Sequence, residues 1–148
     1  MATINPYLMF NGNCKEAFEF YKEAFGKEFA EITHFGDMAA QEGSPELTEA
    51  QKKMVMHVRM PISEETVLYG SDIFPGTPGF TVGDNFSVSI STDSREETDN
   101  LFTKLSAGGN VTMPLADTFW GAYFGMWRDK FGIDWMVNFD DPFQVQPH

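Results

Sequence analysis

Residues 119–139, FWGAYFGMWRDKFGIDWMVNF, hold all three tryptophans of the chain, Trp120, Trp127 and Trp135, together with five other aromatic residues. The stretch reads as two strands and a turn. Asp129-Lys130-Phe131-Gly132 supplies the turn, because an aspartate side chain bonds the backbone two residues on and Gly132 takes the positive φ that a bulged hairpin exit needs. Beyond the turn Ile133, Trp135, Val137 and Phe139 share one parity, while Asp134, Met136 and Asn138 share the other. That is a strand with one apolar and one mixed face, and the mixed face is where a ligand is expected.

Working outward, residues 111–115 form the strand ahead of the hairpin, and a helix precedes it. Ser94 with Glu97 makes a capping box, Thr98, Leu101, Phe102 and Leu105 form the apolar stripe, and Gly108-Gly109 ends it. Residues 85–92, NFSVSIST, alternate as a strand, with Phe86, Val88 and Ile90 under the helix and Asn85, Ser87 and Ser89 on the other face. The first half has the same order. Residues 4–10 are an apolar strand; Asn13 and Glu16 form an N-x-x-E variant of the capping box; Cys14, Ala17, Phe18, Tyr21 and Phe25 recur at helical spacing; Gly26 sits where a left-handed C-cap belongs. Strands follow over 27–35, 53–60 and 66–71, with a polar excursion over 36–51 that holds a Gly-Ser-Pro breaker and a short helix over 45–52. On the strand over 53–60, Met54, Met56, Val58 and Met60 belong under the helix, leaving His57 and Arg59 on the opposite face. Residues 72–84 carry three glycines and two prolines and cannot form a regular element. Each half is therefore a βαβββ unit, about 1–72 and 84–142, joined by the linker 72–84 into one domain over 1–148. Two such units can set concave faces together around a cleft.

The 148 residues are enough to bury a core without disulfides, and the one cysteine, Cys14, excludes an intramolecular disulfide and a Cys-rich zinc site. Ten basic against 22 acidic residues give a net charge of −12, which repels phosphate backbones and anionic lipid. Nucleic-acid and membrane partners are not expected. The start lacks a basic n-region and no apolar run is long enough to span a bilayer, so a cytoplasmic location is expected.

NPYLMFNGNCKEAFEFYKEAFG at 5–26, MHVRMPI at 56–62 and the aromatic hairpin together resemble the PhnB-like branch of the vicinal-oxygen-chelate superfamily, which has the glyoxalase, bleomycin-resistance and extradiol-dioxygenase fold. The branch also carries the description demethylubiquinone methyltransferase-like. Methyl transfer from an adenosyl donor usually relies on a Gly-rich strand-to-helix loop, and no G-x-G-x-x-G stands after any strand. The resemblance implies an α+β protein of two βαβββ modules forming a curved mixed sheet, and a homodimer, the cleft built within one chain or from swapped modules. In the superfamily a divalent metal, held by a His or carboxylate from each of four strands, acts as a Lewis acid on two neighbouring substrate oxygens. Register places those positions at Pro6 or a neighbour, near Tyr69, at Asn85 and at Met136. A thioether does not replace a carboxylate for an oxygen-preferring ion, and proline has no donor side chain. No cofactor is expected, a divalent metal being the alternative.

His57 is the leading candidate for a general base or for a donor to a ligand carbonyl, and Arg59 for a clamp on a carboxylate or phosphonate. Each also has a structural explanation: a buried imidazole satisfied by a neighbour, a guanidinium paired at the rim. Tyr69, Asn85, Ser87, Trp120 and Met136 complete the expected ligand-binding set, and Trp120, Tyr123 and Trp127 either line a pocket or fill the core. His34, His57 and Asp72 form a conceivable metal set, without a spacing that supports it. Cys14 belongs to the core stripe. No His and acid are arranged to activate a serine. The function expected is binding of a small, partly apolar molecule in a metal-free cleft. The rivals are a divalent-metal-dependent isomerase, lyase or dioxygenase with shifted ligands, and a dimeric interaction protein.

Overall fold

In the computed structural model, which describes residues 1–38 and 46–143, the chain divides into two compact units, residues 1–81 and 82–148. The first runs β1 (Tyr7–Phe10), α1 (Cys14–Phe25), β2 (Glu31–His34), a 3-10 turn (Phe35–Asp37), α2 (Glu49–Lys52), β3 (Val55–Pro61) and β4 (Val67–Asp72). The second runs β5 (Val88–Ser91), α3 (Arg95–Ser106), β6 (Asn110–Asp117), β7 (Ala122–Arg128) and β8 (Asp134–Asp140). Each builds a four-stranded mixed sheet, in the orders β1-β4-β3-β2 and β5-β8-β7-β6. In both, the first strand runs parallel to the last and the other pairs are antiparallel. This is an α+β architecture of two βαβββ modules, each with its own sheet. The expected Gly-Ser-Pro breaker, 43–45, lies outside the described residues. Among the described residues no helix is long and apolar enough to cross a membrane.

In the first unit α1 buries Cys14, Ala17, Phe18, Tyr21 and Ala24 against the sheet face that carries Leu8, Phe10, Val58, Met60 and Leu68. The close approach is made possible by Gly70, where any Cβ would run into the Phe18 ring. Gly26 closes the helix at φ 64° and returns its N–H to the Lys22 carbonyl, as a left-handed C-cap does. The N-terminus departs from expectation, because the Asn13 side chain caps nothing. The Asp72 carboxylate, at the end of β4 and 2% exposed, does that work instead. Its Oδ1 accepts from the N–H groups of Gly12 (2.8 Å) and Cys14 (3.0 Å), and its Oδ2 from Val55 N–H (2.9 Å). A buried charge collecting three donors satisfies helix-end groups that a polar N-cap would otherwise satisfy. A complete capping box opens α2, where Thr48 Oγ1 accepts from Gln51 N–H and Gln51 Oε1 accepts from Thr48 N–H.

The hairpin of the second unit matches its sequence pattern. Asp129, 3% exposed, accepts from Phe131 N–H (2.8 Å) and Ile133 N–H (3.1 Å) through one oxygen and from Trp135 Nε1–H (2.8 Å) through the other; Gly132 takes φ 90°. Trp127 and Trp135 stand in register on β7 and β8 with their rings within 7° of parallel, and Phe102 of α3 meets Trp127 edge-on. Ser94 caps α3 by accepting from Glu97 N–H, but Glu97 Oε1 accepts from Asp93 N–H rather than from Ser94, so the box is displaced by one residue.

Candidate functional site

Each sheet turns one face to its helix, and among the described residues no helix packs on the other. On the first sheet the helix-free face is carried by residues alternating with Leu8, Val58, Leu68 and Gly70. Glu31, Arg59, Tyr69 and Tyr7 form one row across all four strands, since Glu31 pairs with Arg59, Arg59 with Tyr69, and Tyr69 with Tyr7. Directly paired residues point to the same side of a sheet, with Cβ atoms about 5 Å apart. Tyr7 and Tyr69 stack with planes 9° apart and centroids 6.0 Å apart. The His57 ring lies 5.8 Å from Tyr7 and 5.7 Å from Tyr69, and Tyr7 Oη is hydrogen-bonded to His57 Nδ1 at 3.1 Å. Beside them Ser71 Oγ donates to the Met9 thioether at 3.4 Å.

His57 reaches this face through a bulge. Thr33 pairs with His57 but His34 pairs with Val55, so Met56 is an extra residue and the alternation reverses across it. Val55 is buried on one side of the bulge, Val58 and Met60 on the other, and Met56 is only half-buried. The unbroken Met/Val parity read from sequence is thus corrected at Met56. His57 and Arg59 lie beyond the bulge, on the helix-free face with Tyr69. Tyr7, Met9 and Ser71 were missed as candidates; Tyr7 and Met9 alternate with the buried Leu8 and Phe10, and that signal was available.

Arg59 is set apart by its surroundings. Arg95 pairs with Asp117 and with Asp141 (2.7 Å), and its guanidinium lies 4.3 Å from the Tyr123 ring centroid. Those hydrogen bonds, Arg95's first and Phe143 N–H second, hold the Asp141 carboxyl below the usual carboxylate range. Arg128 makes a two-pronged pair with Asp134, at 2.7 and 2.8 Å. Among the described residues no carboxylate lies within ion-pair distance of Arg59.

On the second sheet Met136 pairs with Met126, Met126 with Met113, and Ser89 with Met136, giving a thioether row on the face away from Trp127 and Trp135. The remaining expected residues are not gathered there. β5 begins at Val88, so Asn85 and Ser87 precede the strand, and Phe86, expected under the helix, is 61% exposed. The glycine-rich approach delays the strand by three residues, because pairing with β8 begins at Trp135 opposite Val88. Trp120 stands in the turn before β7, 52% exposed, against Phe119 and Phe124. Trp127 is core, and Tyr123 turns to α3, where its hydroxyl donates to Asp99 at 2.5 Å. Tyr123 and Trp127 both turn to α3 while Trp120 packs on Phe119 and Phe124, so the three line no common pocket.

The His34, His57, Asp72 set does not form. Both Asp72 oxygens are occupied by backbone donors on the helix side of the sheet, His57 is on the other face, and His34 faces Asp37 (3.6 Å). Among the described residues no three His, Cys, Asp or Glu side chains gather as a metal would require. The ring face offers phenols, one imidazole, a hydroxyl and a thioether, a poor donor set for an oxygen-preferring divalent ion. Cys14 is equally unsuited to chemistry, since burial first and the Asp72 charge second push its thiol far above the ordinary range. A recess of about 520 Å³ beside the α1 N-terminus, lined by Gly12, Lys15, Glu16, Lys53 and Met54, lies on the helix side. It opens over the Asp72 carboxylate and away from the rings, so it is not the candidate site.

A family model described as 3-demethylubiquinone-9 3-methyltransferase matches residues 2–138. Protein YjdN of Escherichia coli (strain K12) is 31% identical over 140 residues, covering 91% of this chain and 93% of its own. Among solved structures, protein PA1353 from Pseudomonas aeruginosa superposes with a TM-score of 0.81 at 40% identity, over 95% of this chain and 99% of that one. The PhnB protein from Bacillus cereus gives 0.72 at 26% identity, over 93% and 99%. A glyoxalase/bleomycin resistance protein/dioxygenase domain from Frankia sp. EAN1pec gives 0.65 at 12% identity, over 97% and 96%, a likeness of fold.

Proposed function

The chain belongs to the 3-demethylubiquinone-9 3-methyltransferase-like (PhnB) family and has the glyoxalase fold, and from that premise we propose that it binds a small, partly apolar molecule over Tyr7, His57 and Tyr69, without a bound metal. The observation that carries the reading is the ring cluster itself. Three aromatic rings and a thioether stand on a sheet face that no helix among the described residues of their unit covers, with Tyr7 and Met9 each 45% exposed. Such a surface binds flat apolar groups and supplies polar atoms at its edge. When the Tyr7 phenol donates to His57 Nδ1, the Nε2–H of the imidazole is left for a ligand acceptor.

Methyl transfer, which the family description names, lacks support in the geometry. The connections that lead from β1 to α1 and from β5 to α3 are Asn11-Gly12-Asn13 and Thr92-Asp93-Ser94, neither of them a Gly-rich phosphate or nucleoside cradle. Titration with 1-naphthamide, a flat neutral probe, tests the reading. Saturable binding that weakens about tenfold or more in Tyr69→Ala supports it; undiminished binding in that variant contradicts it.

A second reading, self-association, has its own observation. β6 is an edge strand exposed along nearly its whole length, including Val111 (41%) and Met113 (44%), and it leads to Phe119 (76%) and Trp120 (52%). Edge strands with apolar side chains are usually covered. On this reading light scattering gives about twice the 16.7 kDa of one chain, and Trp120→Glu lowers it to one.

A further inference from the structure

Resting on the reading of the ring face as the binding surface, we propose that its ligand is a flat organic acid whose conjugated ring lies against Tyr7 and Tyr69 and whose single carboxylate pairs with Arg59. The chain carries a net charge of −12, so an anion is repelled unless a cation is reserved for it. With acids more than twice as numerous as bases, the common fate of an arginine is capture by a carboxylate, and Arg95 and Arg128 show it. Among the described residues Arg59 escapes that fate, on a half-buried stretch of strand, although Glu31 stands opposite it in register. A partly desolvated guanidinium gains most from a planar carboxylate, which takes two parallel N–H···O bonds.

Geometry then restricts what else the acid carries. Arg59 and Tyr69 are direct cross-strand partners, and Tyr7 follows in the same row. An aryl carboxylate keeps its acid group in or near the ring plane, so one rigid molecule can reach the guanidinium and still lie on the rings. The row ends at Glu31, whose charge opposes a second negative group beside Arg59. A monoanion is therefore favoured over a dianion.

Calorimetric titration with 1-naphthoate, 1-naphthamide and 1-naphthyl phosphate tests this against wild type, Arg59→Met, Arg59→Lys and Tyr69→Ala, with far-UV circular dichroism to confirm that each variant is folded. Naphthoate is expected to bind roughly tenfold more tightly than the amide, as one charge-assisted pair provides, and more tightly than the phosphate. Arg59→Met should erase that preference and leave the amide unchanged, and Arg59→Lys should keep part of it. If acid and amide bind alike, or the preference survives Arg59→Met, the proposal is overturned; the ring-face reading then stands so long as Tyr69→Ala still weakens the amide. Preference for naphthoate that Tyr69→Ala leaves intact places the acid elsewhere and also overturns it. Binding of neither probe removes both readings.

Discussion

A carboxylate shielded from water must find its hydrogen bonds inside the protein, and each unit has one that does, Asp72 in the first and Asp129 in the second. Each gathers at least three N–H donors. Hydrogen bonds to a charged group are worth about 1.5–3 kcal/mol apiece, and donors left behind in the core are only partly rehydrated. Asp72→Ala is expected to lower unfolding stability by roughly 3–5 kcal/mol and Asp72→Asn, which keeps one acceptor, by about half as much. Urea titration measures both; equal losses would mean that the oxygen retained by asparagine contributes nothing. Cys14 gives a pH signature of its own. Its thiol is raised in the folded state by burial and by Asp72, so the folded protein holds a proton that the unfolded chain releases above about pH 8.5. The stability this contributes is fully present below that pH and is lost as pH rises above it, by up to about 1.4 kcal/mol per pH unit. Stability measured from pH 8 to 10 should fall more steeply in wild type than in Cys14→Ala; parallel curves would refute the assignment.

Among the elements, the hairpin was the most legible, because Asp129 and Gly132 fix its turn and Trp135 and Val137 fix its register through purely local rules. The α1 stripe and its Gly26 cap were legible for the same reason. Its N-terminus was not: the partner, Asp72, is about 60 residues away at the end of β4, and no local rule connects them. The bulge at Met56 was hidden too, since Met and Val look apolar at either parity and only pairing with β2 shows which residue is extra. Gly70 reads from sequence as an ordinary strand glycine, yet it sets how near α1 lies to the first sheet. Gly70→Ala is expected to cost about 3 kcal/mol, near 10 °C in Tm. Adding Phe18→Leu should recover part of that loss, because the clash is with the Phe18 ring. A double variant no better than the sum of its parts would mean that the strain lies in the backbone.

For the molecule as a whole, repetition of one strand order in two units was readable from two capped amphipathic helices and the strands around them, because each unit is assembled from local signals. The candidate site was readable only in part. Alternation put His57 and Arg59 on one face, and in the structure that face also carries Tyr69, Tyr7 and Met9. Alternation failed at Asn85 and Trp120, which lie in irregular backbone where period two has no meaning. It also could not show that Arg59 has no carboxylate partner among the described residues, a property of three-dimensional neighbours. The most direct measurement of the central claim is a ¹H–¹⁵N NMR titration of the labelled protein with 1-naphthoate. The account predicts saturable shifts at Tyr7–Met9, His57–Arg59 and Tyr69–Ser71; shifts confined to residues 88–140, with those three strands unmoved, would contradict it.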